Sequence, residues 1–324
     1  MTEHLPANLP SHDLQAPSLG SELRALWQTM RPHQWIKNVF VLVPLVFAGP
    51  ELLAQQKLSA VMVGRVALAM LCFCMASSAT YVLNDLLDAE ADRAHPVKRL
   101  RPIAAGRLRE PRAKFWLGVL LALDALLTTA IAIWVGETGW VYALAIAGYF
   151  VQNLAYSLGL KRVAYVDAAI IATGFLLRVL AGSAAAPVQA SHWLLACTAL
   201  LAMFLALGKR KHEVLTSDVK HRANLKVYRL SHLNFALALL ALLTSAAYLF
   251  YTLDPETVFR FHTARLPWTT PFGVFGLWRF SQLLDARDTA HSPTERMLRD
   301  TPFLVNLVAG TLTVGLLIYG VLPE

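Results

Sequence analysis

Residues 60–93 read AVMVGRVALAMLCFCMASSATYVLNDLLDAEADR. Residues 60–83 form an apolar run, and as an α-helix a run of that length spans ~36 Å, enough to cross the ~30 Å hydrocarbon core of a bilayer. The run ends in Asn84, Asp85, Asp88, Glu90 and Asp92. If the helix continues through them, Asn84, Asp88 and Asp92 recur every fourth residue on one face. Asp85 joins that face, spaced to meet both Asp88 and Asp92. The reading is a membrane-spanning helix that delivers carboxylates to the membrane edge.

Similar apolar segments lie at 36–54, 113–135, 139–158, 164–186, 191–208, 230–252, 268–284 and 302–321. With 60–83 they make nine spans. Pro44 interrupts the first, and Pro271 with Gly273 the eighth, so eight is the alternative count. The expected fold class is all-α: a polytopic membrane bundle with loops or short helices capping one face. Composition agrees, since 56% of the 324 residues are hydrophobic and 15% charged, against roughly 25% charged in an ordinary soluble domain. Mean hydropathy is +0.49. A disordered chain, a collagen and a disulfide scaffold are excluded, and a soluble enzyme is disfavoured. Cys72, Cys74 and Cys197 all lie inside apolar runs and read as small core residues. Residues 1–17, with Pro6, Pro10 and Pro17, read as a disordered tail, and 18–324 as one integral-membrane domain. Leu19, Leu23, Leu26, Trp27 and Met30 recur at helical spacing, as in a short amphipathic helix lying either on the membrane surface or against the protein.

The formal charge is +8, from 29 Lys and Arg against 21 Asp and Glu. The excess is unevenly placed. Segments 84–114, 159–163 and 209–229 are rich in Lys and Arg, whereas 136–138 and 187–190 have none. The positive-inside rule puts the N-terminus and the rich loops in the cytoplasm, and nine spans leave the C-terminus outside. The charge marks topology and gives no reason to expect nucleic acid.

Carboxylates stacked at the end of a helix repel one another and call for positive charge. Mg²⁺, a hard ion held by one or two carboxylates plus phosphate oxygens, is the natural candidate, with Asn84, Asp85, Asp88 and Asp92 as ligands. The alternative is a solvated acidic helix end paired with nearby arginines. The next stretch carries Lys98, Arg99 and Arg101 between Pro96 and Pro102. Acid followed by base suits a Mg-diphosphate: carboxylates take the metal, and Lys98, Arg99 and Arg101 take phosphate oxygens. Arg107, Arg109 and Arg112 read better as contacts to lipid headgroups. A weaker echo of the pattern follows the fourth span in Tyr156, Lys161, Arg162 and Asp167. Asp167 and Arg178 lie about three turns apart, with Gly174 between them on the same face. An arginine inside an apolar span faces a polar cavity or an ion-pair partner, here Asp124 of the third span. Lys209 and Arg210 form another cationic edge at the end of the sixth span.

Asn84-x-x-x-Asp88-x-x-x-Asp92, then Tyr156, Lys161-Arg162 and Asp167, together with the nine-span count, resemble the UbiA superfamily of intramembrane prenyltransferases. The stretch Arg31-Pro32-His33-Gln34-Trp35-Ile36-Lys37-Asn38, the run His95 to Gly106, Phe175-x-x-Arg178-x-x-Ala181-Gly182 and Gly208-Lys209-Arg210 resemble the branch that moves phosphoribosyl onto decaprenyl phosphate. The resemblance implies 5-phosphoribosyl 1-diphosphate (PRPP) as donor, a polyprenyl phosphate as acceptor and Mg²⁺ as cofactor. It also implies a bacterial-type inner membrane, with the site on the cytoplasmic side, and a product used for lipid-linked pentose and cell-envelope polysaccharide. Asp85, Asp88, Asp92, Lys37 and Lys161 are then the expected catalytic residues. Asn38, Asn84, Lys98, Arg99, Arg101, Tyr156, Arg162, Asp167, Arg178, Lys209 and Arg210 are the expected substrate contacts. Partners are the two substrates and membrane lipids, with a homo-oligomer left open. One departure stands out: Ile171 occupies the place, four residues after Asp167, where many aromatic prenyltransferases carry a second aspartate.

Two other readings stay open on sequence. One is transfer of a prenyl group from its diphosphate to an aromatic acceptor, and the other is a membrane transporter. Topology is directly testable. A membrane-impermeant thiol reagent applied to intact cells should fail to label single cysteines placed in 84–112 or 209–229, and should label one placed near 188. Labelling in one long loop but not the other would contradict nine spans.

Overall fold

The computed structural model describes residues 18–186, 188–216, 227–285 and 293–320. The expected tail 1–17 and the loop cations Lys220, Arg222 and Lys226 lie outside the described residues. In chain order the helices are α1 (Leu19–Met30), α2 (Val43–Ala54), α3 (Ala60–Leu87), α4 (Ala89–Arg93), α5 (Glu110–Val135), α6 (Gly139–Leu158), α7 (Val166–Ala185), α8 (His192–Thr216), α9 (Leu230–Leu253), α10 (Pro255–Phe261), α11 (Thr270–Asp285), α12 (Pro293–Met297) and α13 (Thr301–Ile318). Tight 3₁₀ stretches occupy Pro32–Val41, Lys98–Leu100, Leu160–Arg162 and Leu266–Thr269.

Among the described residues, eight segments are long and apolar enough to cross a membrane, with Pro32–Ala54 counted as one. The remaining expected span, 268–284, is α11, only 16 residues long. The 3₁₀ turn Leu266–Thr269 runs straight into it, and the two together reach ~32 Å. Among the described residues the nine-helix expectation is thus roughly met, with eight spans and a shorter ninth helix extended by a 3₁₀ turn. Pro44 begins a helix rather than breaking one. It sits in the first turn of α2, where its missing N–H is no loss. The residues before it wind as a ten-residue 3₁₀ helix, much longer than usual.

The bundle is apolar outside and tight inside. Large side chains such as Ile133, Phe235 and Leu312 point outward, while small residues such as Ala76, Ala79, Ala181, Ala184 and Ala185 fill the interior. This is the packing expected where lipid, not water, surrounds the helices. The most buried span is α7, which touches α3, α6, α8 and the 3₁₀ stretch. The N-terminal stripe packs in part against the protein. Ala25 and Leu26 of α1 pack inward, and Glu22 accepts a hydrogen bond from the Trp116 indole, while Leu19, Leu23 and Trp27 remain exposed. At the other end of the chain, Arg279 of α11 grips Asp300, the N-cap of α13, through two bonds of 3.0 and 2.8 Å. That contact holds the Asp300 carboxyl below its ordinary range.

One close approach positions the site. A Cβ on Gly182 would stand 1.8 Å from the Val41 carbonyl oxygen, so the 3₁₀ stretch lies directly against the backbone of α7. Gly182→Ala should therefore push the two backbones apart and cost at least about 1–3 kcal/mol. Gly118→Ala, on an open face of α5, should be neutral or slightly stabilising. Melting temperatures in detergent compare the two, and equal values would refute the close-packing argument.

Candidate active site

The end of α3 gathers the acidic groups, but not in the order helical spacing suggests. Asp85 and Asp92 are 2% and 3% exposed. A single atom, Arg101 Nη1, donates to Asp85 Oδ1 at 3.1 Å and to Asp92 Oδ2 at 2.6 Å. Arg31 also donates to Asp85 Oδ1, at 2.7 Å, and lies over the Tyr81 ring. Asn84 and Asp88 face elsewhere. Asn84 Oδ1 accepts from Ser157 at the end of α6, and Asp88 Oδ1 accepts from Lys161 Nζ at 2.5 Å. The physical reason is angular. Seven residues fall about 20° short of two full turns, which aligns Asp85 with Asp92, whereas each four-residue step overshoots by about 40° and separates Asn84 from Asp92. Asp88 also marks the join between α3 and α4, with φ −94° and ψ 1°.

Among the described residues, no three Asp, Glu, His or Cys groups gather tightly enough to hold an ion alone. Two carboxylates that converge on one cationic nitrogen do fit a Mg²⁺ whose remaining ligands are phosphate oxygens and water. Asp85 and Asp92 are that pair, with Asp88 beside them. The basic loop divides similarly. Arg101 reaches the carboxylates, Lys98 is half-buried, and Arg99 is exposed. Arg107 instead bonds Gln28 and the Leu100 carbonyl, and Arg112 approaches Glu22 at 3.8 Å, so both serve to fasten the loop and α1.

A second group of cations lies deeper. Arg178 is buried on α7. Its Nε donates to Asn38 Oδ1 at 2.7 Å, Nη1 to the Gly174 carbonyl at 2.7 Å and Nη2 to the Tyr149 hydroxyl at 3.2 Å. The rings of Phe73, Tyr149 and Phe175 surround it. Asn38 is anchored in turn by Cys74 and Ser77 of α3. Arg178 does not pair with Asp124. That carboxylate is buried on α5 beside Cys72, and its Oδ1 has no hydrogen-bond partner among the described residues. The electrostatic neighbours of Lys37 are all cations: Lys209, Arg178 and Arg31.

Asp167 and Arg210 face inward. Each is 1% exposed, and they meet at 3.2 Å, with Arg210 also bonded to Glu213. The Tyr228 hydroxyl donates to Asp167 at 2.6 Å. Of the Lys209-Arg210 pair, only Lys209 is exposed; Arg162 is exposed and Tyr156 half-buried. Sequence reasoning left Arg31, Tyr149, Ser157 and Tyr228 off the site. Arg31 could have been found, since it heads the stretch that ends in Lys37-Asn38. The others carry no local signal. A cavity of about 810 Å³ at the far ends of α2, α10 and α13, lined in part by Glu51, Arg260, His262 and Tyr319, contains none of these residues.

Comparison with known proteins places the fold and the family. A decaprenyl-phosphate phosphoribosyltransferase of Mycolicibacterium smegmatis is 34% identical over 310 residues, covering 91% of this chain and 92% of that protein. The enzyme of the same name from Corynebacterium glutamicum is 32% identical over 299 residues, covering 90% and 86%. A UbiA homolog from Archaeoglobus fulgidus, bound to DMAPP and Mg²⁺, superposes with a TM-score of 0.66 at 17% identity, over 92% of this chain and 100% of that one. The profile of the UbiA prenyltransferase family matches residues 41–308, and the chain belongs to that family.

Proposed function

We propose that the protein transfers the 5-phosphoribosyl group of PRPP to a polyprenyl phosphate and releases diphosphate. The observation that carries this reading is the separation of its cations into two sets. Arg31, Arg101 and Lys161 sit on carboxylates, while Arg178 is held by Asn38, the Gly174 carbonyl and Tyr149, and Lys37 has Lys209, Arg178 and Arg31 as electrostatic neighbours. A transferase with a diphosphate leaving group, a sugar phosphate and an anionic lipid acceptor has a use for both. The names of the relatives that span nine-tenths of the chain support the same reaction.

In this scheme Asp85 and Asp92, with Asp88, would hold Mg²⁺. The ion, when bound, screens the charge of the leaving group. Arg101 and Lys161 stand at the edge of those carboxylates to meet diphosphate oxygens as the bond from C1 to oxygen breaks and its electron pair leaves with diphosphate. Lys37, Arg178 and Lys209 orient the lipid phosphate or the 5-phosphate. The acceptor oxygen, already anionic, forms the new bond to C1, so no general base is required. Attack opposite the leaving group inverts the anomeric centre. Lipid confinement follows from ~0.8 kcal/mol per buried CH₂ of the prenyl tail. The site belongs at the cytoplasmic face of a bacterial-type inner membrane, where the soluble donor is available.

The assay is a two-way choice with purified protein: labelled PRPP plus polyprenyl phosphate, against prenyl diphosphate plus 4-hydroxybenzoate. Labelled lipid only in the second tube would overturn the proposal. Activity should vanish with EDTA and return with Mg²⁺. Asp85→Asn and Asp92→Asn should each lower turnover at least about a hundredfold, ~2.7 kcal/mol of barrier, at near-constant volume. Normal, EDTA-resistant turnover in both variants would remove the metal role.

Arg178 yields a sharper expectation. Arg178→Lys keeps the charge but loses the planar fork, and Arg178→Met loses both, so activity should fall in that order. The Met variant also strands Asn38 and the Gly174 carbonyl, costing about 1–3 kcal/mol of stability. Because Asp124 is not its partner, adding Asp124→Asn should not restore the melting temperature. Restoration would revive the ion-pair reading and exclude Arg178 from substrate binding.

A further inference from the structure

The turn that delivers Lys161 to Asp88 is held from behind by a residue far away in sequence. Tyr165, between the 3₁₀ turn and α7, sits at φ 66° and ψ −35°. That backbone region is costly for any residue with a side chain and persists only where neighbours hold it. Here the Tyr165 N–H donates to the Tyr228 hydroxyl at 2.7 Å, and the two rings meet at 4.8 Å. The same hydroxyl donates to Asp167 Oδ1 at 2.6 Å. Burial, then the bond to Asp167, pushes the Tyr228 phenol up from its ordinary pKa, so the proton stays on the oxygen at physiological pH. One phenol thus both accepts and donates, which tyrosine can do and phenylalanine cannot.

The linkage continues beyond Asp167. Asp167 Oδ2 meets Arg210 Nε at 3.2 Å, and Arg210 is the immediate neighbour of Lys209. Tyr228 itself is buried among Ala168, Phe204, Leu233 and Phe280, where α7, α8, α9 and α11 converge, so it has no room to swing away. Lys161, on the carboxylate cluster, and Lys209, beside Lys37, are therefore joined through Tyr165, Tyr228, Asp167 and Arg210.

We propose that Tyr228 is a positioning residue whose hydroxyl sets the placement of Lys161 relative to Lys209, and with it the spacing between the two cation sets. It touches neither lysine. Without the hydroxyl, the strained turn at Tyr165 loses its hydrogen-bonded hold, and Asp167 loses the hydrogen bond from Tyr228. The kinetic part of this claim rests on the proposed function; the structural part does not.

The test uses the full chain in detergent or nanodiscs. Without any substrate, lysines of the native protein and of Tyr228→Phe are acylated with a soluble ester and quantified by mass spectrometry. Lys161 should react several-fold faster in the variant, while the exposed Lys114 on α5 should be unchanged. In turnover, KM for PRPP should rise about tenfold while kcat changes little, the pattern left when binding common to the ground and transition states is weakened. Adding Tyr165→Gly, which tolerates positive φ without strain, should return Lys161 protection and KM toward native values. Tyr165→Val, with Tyr228 intact, should raise Lys161 labelling by itself. Unchanged Lys161 labelling in Tyr228→Phe overturns the proposal, as does equal acceleration at Lys114, which would indicate general loosening. Altered labelling with unchanged KM overturns it too. Altered Lys161 labelling in a chain whose native form is inactive with PRPP would support the positional claim and overturn the proposed reaction.

Discussion

Two buried carboxylates at the end of a membrane-spanning helix cannot be left bare, and a single nitrogen of Arg101 answers both Asp85 and Asp92. Removing one partner of such a pair strands a charge away from water, at a cost of about 3–5 kcal/mol. The acids therefore dictate where other elements must go. Arg101 comes from the loop after α4, Arg31 from the junction between α1 and the 3₁₀ stretch, and Lys161 from the turn after α6. Each ion pair ties a different part of the chain to the end of α3. The site and the cap over the bundle are one construction.

The deeper cations follow a different rule. Arg178 is held by an amide oxygen, a backbone carbonyl, a phenol and three aromatic rings, none of which carries a full negative charge. Neutral partners fix the guanidinium without cancelling it, so its field persists in a low-dielectric setting and favours an anion. The arrangement depends on backbone proximity. Asn38 reaches Arg178 because the 3₁₀ stretch lies against α7 at Gly182. A packing detail in the interior thus becomes an electrostatic property of the site.

Where spacing and structure disagree, the cause is identifiable. Four-residue spacing grouped Asn84, Asp88 and Asp92, but the drift of a 3.6-residue helix brings Asp85 and Asp92 together and turns Asn84 and Asp88 toward Ser157 and Lys161. Asp167 and Arg210, both expected as substrate contacts, meet at 3.2 Å in the interior. A buried carboxylate and a buried guanidinium each need a partner, and these two are brought together by the packing of α7 against α8. Tyr228 had no motif to announce it, because its partners lie 61 and 63 residues away.

The amino-acid sequence points to the bilayer as solvent, the helical class, a count of about nine spans and the position of the acid-then-base motif. Those features rest on local patterns: apolar run length, charge clusters and spacing within one helix. It also supplied most of the residues that converge at the site, since charges in or beside apolar spans are too costly to keep without a use. Only the tertiary structure decided which cation meets which carboxylate, that Arg178 is held by neutral groups and not by Asp124, and that Asp167 belongs to a buried latch. Those outcomes depend on which helix faces lie against one another, and that is set by close backbone contacts such as Gly182 with Val41, not by any pattern along one segment.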